Sequence, residues 1–165
     1  MLICGIDAST NKTGIAIFRN GQYVKHTLID LHKIKNPSDR IPKMMTSICD
    51  YLDNYKVDKI IMEESMFTSN ISTVKMLSQL AGAVLFYATS KGIDFELSLP
   101  SHWRKIVGLT QSSKIKRDIL KSEAVNAVTQ EYGLNVSDDV AEAILIARSG
   151  FNLPKIGSVD DDWDI

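Results

Sequence analysis

Leu2-Ile-Cys-Gly-Ile-Asp7-Ala8 and Thr13-Gly-Ile-Ala-Ile-Phe18, joined by the polar turn Ser9-Thr-Asn-Lys12, decide the fold. Each run is apolar, of strand length and bounded by turn residues. Asn20-Gly21 follows at once; this pair suits a two-residue hairpin, whose central residues need positive φ. Tyr23 to Leu31 is then a third strand, so three antiparallel strands open the domain. Downstream, Ile41, Met44, Met45, Ile48, Leu52 and Tyr55 recur every three or four residues, which predicts a helix over 39–55 with Ser38 as its N-cap. Lys59-Ile-Ile-Met62 is a short buried-strand run ending at Glu63-Glu64, and Thr73 to Lys91 is a second amphipathic helix closed by Gly92. Phe95 to Leu99 is a fifth strand that Pro100 ends. After a polar basic stretch, helices are expected over 113–132, ending at Gly133, and over 138–149. This order predicts a mixed α/β domain with one central sheet.

The 165 residues, 44% of them hydrophobic, suffice for one core without disulfide or structural metal. Cys4 and Cys49 lie far apart, outside any CxxC or Cys/His spacing, which points to a reducing, cytoplasmic setting. The apolar amino terminus reaches Asp7 too soon for a signal peptide, and no run of 18 apolar residues suggests a membrane span. A domain over 1–153 and an acidic tail over 154–165, with Asp160, Asp161, Asp162 and Asp164, are expected. The net charge of −1 argues weakly against a nucleic-acid partner, but without those four aspartates it becomes +3.

Three acidic features stand out. Asp7 lies within an apolar strand, where an uncompensated carboxylate is costly. Glu63 and Glu64 close another strand and must point to opposite faces. In Ser137-Asp-Asp-Val-Ala-Glu142, either aspartate can share a helix face with Glu142, so spacing leaves Asp138 and Asp139 open. Singly, each feature suits a solvated strand end or a helix cap. Together they converge only if cations lie between them, and all-oxygen ligands suit Mg²⁺ or Mn²⁺. Two such ions about 4 Å apart serve phosphodiester hydrolysis without a protein nucleophile.

The run Gly5-Ile-Asp-Ala-Ser-Thr-Asn-Lys-Thr13-Gly14 resembles the first strand and turn of RuvC-type Holliday junction resolvases, with the catalytic Asp seven residues before a Gly. Met62-Glu-Glu-Ser-Met-Phe67 with Asn70, followed by Val74-Lys-Met-Leu77 and Gln79, resembles the second family motif. Val107-Gly108 followed by Lys114 resembles the segment carrying a basic family residue, and Asp139-Val-Ala-Glu142-Ala-Ile-Leu-Ile-Ala147 the closing motif Asp-x-x-Asp-Ala. The resemblance spans most of residues 1–150. It implies an RNase H-like fold with a five-stranded mixed sheet and catalytic, metal-holding carboxylates at Asp7, Glu63, Asp139 and Glu142. It implies Lys114 as a catalytic basic residue and Met66 and Phe67 as DNA contacts near the junction centre. Glu142 replaces the commoner Asp, and Ala8-Ser9 stands where Pro-Gly is frequent; both departures resemble the phage-type branch.

Between Leu99 and Lys121, six basic residues (Arg104, Lys105, Lys114, Lys116, Arg117 and Lys121) face only Asp118, a local charge of +5. Beside the carboxylates this stretch is a phosphate-binding candidate, while Trp103 suits the core equally well. The expected activity is Mg²⁺-dependent cleavage of four-way and related branched DNA by paired symmetric nicks, with two Mg²⁺ per site and Mn²⁺ able to substitute. Paired nicks ask for a twofold homodimer, and the apolar second helix, with Val74, Leu77, Leu80, Ala81 and Val84, is the candidate interface. A ribonuclease of the same superfold and a non-catalytic junction-binding module are the competing readings. An actin-like or sugar-kinase ATPase also begins with a Gly-x-Asp strand and a Ser/Thr-rich turn, but it ranks below these readings because it needs a duplicated second domain for which 165 residues leave no room.

Overall fold

The computed structural model describes residues 1–65, 70–110, 112 and 114–157. Among them the strands are β1 (Leu2–Ala8), β2 (Lys12–Arg19), β3 (Gln22–Asp30), β4 (Lys59–Glu63) and β5 (Asp94–Ser98). They form one sheet in the order β3-β2-β1-β4-β5, antiparallel across the first three and parallel from β1 to β4 to β5. Asn20 and Gly21 both take positive φ, 50° and 82°, which the hairpin between β2 and β3 requires. The expected five-stranded mixed sheet with three antiparallel strands first is therefore present.

The helices are α1 (Pro37–Leu52), α2 (Ile71–Lys91), α3 (Pro100–Val107), α4 (Arg117–Tyr132) and α5 (Asp138–Ser149). Three depart from the sequence reading. The N-cap of α1 is Asn36, whose side chain accepts from the Ser38 backbone N–H, and Pro37 takes the first turn, where its missing N–H costs nothing. Pro100, read as a strand terminator, also starts α3 for the same reason, in the polar basic stretch to which no helix was assigned. The next helix starts at Arg117 rather than residue 113, so Lys114 lies in the loop before it.

Alternation along the central strands sends side chains to two cores. Cys4, Ile6, Ile15, Ile17, Ile60 and Met62 face one, against α1 and α2. Ile3, Ala16, Phe18 and Ile61 face the other, against α3, α4 and α5. Gly5 and Gly14 lie on this second face, where α5 rests on the backbone. A Cβ at Gly5 would meet the Ala143 carbonyl oxygen at 2.3 Å, and one at Gly14 the Asp139 carbonyl oxygen at 2.0 Å. The absence of two side chains thus sets the depth of α5 and of the acids in its first turns.

α2 is 21 residues long and apolar enough, by length and composition, to cross a membrane, yet it packs on this domain through Leu80, Val84, Tyr87 and Ala88. Leu80 and Val84, expected at an interface, belong to the core, and Leu77 and Ala81 pack against it. The outward apolar residues are instead Ile71, Leu85 and Phe86, the last 76% exposed. After α5 the chain stays on the domain beyond the expected boundary at 153. The Pro154 carbonyl accepts from the Arg148 guanidinium, and the Ile156 N–H donates to the Val107 carbonyl. The four tail aspartates lie outside the described residues.

Candidate active site

Asp7 and Glu63 each stand one residue beyond the register pair Ile6–Met62 of the parallel strands β1 and β4. Partners in a parallel register project to the same face, here that of α5. Glu64 is exposed beyond the strand end. Ser137 caps α5 by accepting from the Val140 N–H, so the acids of the first turn sit where the helix dipole favours negative charge. Asp138 turns away to an ion pair with Lys121, whereas Asp139 and the buried Glu142 face the sheet. A cavity of about 720 Å³ brings Asp7, Glu63, Asp139 and Glu142 together, with Arg117, Thr73 and Leu77 on its walls.

Two consecutive α3 residues support these acids. Trp103 is fully buried, and its indole N–H donates to Glu63 Oε2 at 2.9 Å. Arg104 lies 3.8 Å from Glu142 and is bound to Glu123 at 2.5 Å; its guanidinium also donates to the Thr110 and Leu120 carbonyls. Arg104 was expected to contact DNA. It is 3% exposed and committed to joining α3 to α4, which corrects that reading: a buried guanidinium with these partners is part of the scaffold.

Lys105, Lys114, Lys116 and Arg117 are exposed. Of these, Arg117 lines the cavity, and its charge favours the ionised forms of Glu63, Asp139 and Glu142. Half-buried Lys121 does the same for Asp7. Met66 and Phe67 lie outside the described residues. Ser98, the register partner of Glu63 on β5, is buried, and its hydroxyl has no hydrogen-bond partner among the described residues.

The electrostatics are those of crowded, desolvated acids. Burial, then Glu63, Glu142 and Asp139, push the Asp7 carboxyl well above the usual carboxylate range. Burial and Glu142 raise Glu63 to about 7 against the opposing pull of Trp103 and Arg117. Asp139 and Glu142 are raised as well, chiefly by burial. Among the described residues no three acidic, His or Cys side chains close on a common metal point; the acids ring a cavity. Their chemistry nonetheless fits a hard divalent cation, which favours oxygen donors and relieves the repulsion that raises these pKa values.

This has a measurable sign. A carboxylate with a raised folded-state pKa binds more protons folded than unfolded, so its stabilising contribution is present at low pH and lost as pH rises. Without divalent metal, the melting temperature is expected to fall as pH rises from the ordinary Glu value of 4.5 through about 7. Added Mg²⁺ should raise it more at the upper end of that window than at the lower. Differential scanning fluorimetry on a pH grid, with EDTA or Mg²⁺, checks this; a metal effect independent of pH would contradict it.

Trp103→Phe tests the indole contact: it removes the donor together with part of a fully buried ring, so the melting temperature in EDTA separates the packing loss from the loss of the hydrogen bond. The expected result is an apparent Mg²⁺ affinity weaker by about tenfold, in the range for loss of a ligand's supporting hydrogen bond. Titrating metal-induced stabilisation checks it separately from turnover, and an unchanged midpoint would contradict it.

A mixed sheet with one acid at the end of each of two adjacent central strands and a pair of acids on the packed helix is the arrangement of an RNase H-like nuclease. Comparison with known proteins agrees. Residues 3–147 match the family described as crossover junction endodeoxyribonuclease RuvC, and the chain belongs to that family. It is 30% identical over 159 residues to the RuvC of Campylobacter concisus, covering 92% of this chain and 97% of that one. The RuvC of Pseudothermotoga lettingae is 27% identical, with 89% and 91% covered. In structure, the chain resembles Thermus thermophilus RuvC solved with a Holliday junction substrate, with a TM-score of 0.71 at 16% identity covering 90% and 92% of the two chains. A fowlpox virus resolvase bound to junction DNA gives 0.56 at 16% identity, with 91% and 96% covered. These structural likenesses establish the RNase H-like architecture, and the family is one of divalent-metal-dependent endonucleases.

Proposed function

We propose that this chain resolves four-way DNA junctions by hydrolysing one phosphodiester on each of two opposed strands. The observation that carries the reading is the convergence of Asp7, Glu63, Asp139 and Glu142, from three separate elements, on one cavity with Arg117 on its wall. Each acid would help hold Mg²⁺, two ions per site with Mn²⁺ able to substitute. When bound, the ions supply the activated water and stabilise the leaving oxygen. The chain's own side chains do the rest. Trp103 fixes the orientation of Glu63, and Arg104 holds α3 and α4 in place beside Glu142. Lys114 on the loop before α4, with Lys105, Lys116, Arg117 and Lys121, draws the phosphate backbone toward the acids; Met66 and Phe67 would contact the junction centre.

Junctions are selected by shape, since phosphate contacts carry no sequence information directly. Two coordinated nicks require two sites, and the outward row Ile71, Leu85 and Phe86 on α2 is the surface on which a second copy would dock. Such a protein acts in the cytoplasm, where branched DNA arises in recombination and repair. A panel of a four-way junction, a linear duplex and an RNA–DNA hybrid tests the substrate. Cleavage of the junction in Mg²⁺ is expected. Cutting of the hybrid but not the junction would replace this reading with a ribonuclease, and binding without cutting would replace it with a junction-binding module.

A further inference from the structure

The carboxylate cavity does not end at Asp139. It continues over Ser9 and Asn11 into a second groove of about 470 Å³ that has no α4 residue in its wall and is lined also by Lys12, His32 and Lys35. These residues come from two stretches of chain, the β1–β2 turn and the connection from β3 to α1. Arg40 joins the two. It is 8% exposed, its Nε donates to the Thr10 carbonyl at 2.8 Å, and its Nη1 donates to the Ile34 carbonyl at 2.8 Å and to that of Lys35 at 3.3 Å. A buried guanidinium spent on three backbone carbonyls, together with the Leu31 N–H donating to the Asn11 carbonyl at 2.8 Å, fixes the relative placement of the two loops.

Lys35 points its ammonium to solvent, with the His32 carbonyl at 3.2 Å. Lys12 is 3.5 Å from Asp30, which also binds the His32 ring at 2.5 Å. Asp30 therefore offsets one of the two lysine charges, which leaves Lys35 as the cation unpaired among the described residues at the mouth of a groove backed by the buried Arg40, with Asp139 as the acid that it shares with the carboxylate cavity. Resting on the reading of the chain as a nuclease, we propose that this groove binds the DNA backbone phosphates on one side of the scissile bond, with Lys12 and Lys35 as contacts and Arg40 as the residue that positions their loops. A strand whose scissile phosphate lies over the acids must carry its next phosphates out on both sides. Arg117, on the wall of the carboxylate cavity, serves the α4 side, and this groove serves the side of the β1–β2 turn. The subsite is sequence-independent and acts through charge.

The test is fluorescence anisotropy with a labelled four-way junction and a duplex of equal arm length, in an Asp7→Asn background that holds cleavage off. Lys12→Ala/Lys35→Ala is expected to raise the Kd about tenfold and to lower the slope of log K against log salt by about 0.9 per lost phosphate contact. The melting temperature should match the parent's. An unchanged slope overturns the subsite, whether or not the Kd changes, since weaker binding without counterion loss is a folding effect. If the double variant melts early, Lys35→Glu, which breaks no ion pair among the described residues, gives the same slope reading. A parent that binds the junction no tighter than the duplex sinks the junction reading instead. In that case the slope difference on duplex still decides the subsite.

Discussion

Asp7→Asn is expected to lower junction cleavage by at least about three orders of magnitude, about 4 kcal/mol of transition-state stabilisation, while junction binding is retained. Asp7 stands on the central strand β1, with Glu63 beside it on β4 and Asp139 and Glu142 of α5 on the same cavity. The amide fills the same volume and keeps one acceptor oxygen, so packing is preserved. What it removes is the negative charge needed to hold a cation. The same crowding predicts a second effect of opposite sign. Burial and three neighbouring carboxylates disfavour the Asp7 anion, so in EDTA at neutral pH the Asn variant should melt no lower than the parent. Single-turnover cleavage and metal-free melting curves together check this. Cleavage within tenfold of the parent would remove Asp7 from the machinery, and a large loss of melting temperature would mean that the substitution acted through folding.

Gly14→Ala should be strongly destabilising. A Cβ there lies 2.0 Å from the Asp139 carbonyl oxygen and 2.9 Å from the Val140 nitrogen, backbone atoms that no rotamer change can move aside. Helix α5 must lift from β2, at a cost of about 3 kcal/mol or more, which lowers the melting temperature by about 6–12 °C for a domain of this size. Gly14 is also the register partner of Asp7. The displaced first turn carries Asp139, so metal-induced stabilisation should weaken along with the melting temperature. Thermal denaturation with and without Mg²⁺ measures both; melting within a degree or two of the parent would show that α5 does not rest on this glycine.

That pair explains a spacing visible in the sequence without its reason. The Asp7-to-Gly14 interval is the length of a β1–β2 turn that brings the two residues side by side, and the glycine is the clearance for the helix that delivers the next acid. The strands were legible because burial on both faces of the sheet makes β1, β2 and β4 short continuous apolar runs bounded by turn residues. The choice between Asp138 and Asp139 was not, because both fit the helix period; the structure separates them by giving Asp138 to Lys121. Helix α3 escaped notice because it is eight residues long, starts at a proline and carries charge on its visible positions. Its buried members, Trp103, Arg104 and Val107, are spaced as one helix face. A buried indole needs an acceptor, but nothing local shows that the acceptor is Glu63, 40 residues earlier. Counting Arg104 with the phosphate-binding residues failed for a related reason: composition records charge and is blind to burial.

Paired incision at a junction centre is most directly measured on a supercoiled plasmid that extrudes a cruciform. Two coordinated nicks on opposed strands convert it to the linear form, whereas uncoordinated single nicks give the open circle. With Mg²⁺ the parent protein is expected to yield linear product as the main early species, mapping to symmetric positions at the cruciform base. Asp7→Asn should yield none. Open circles alone, or cutting away from the cruciform, would contradict the account of this chain as a dimeric junction resolvase.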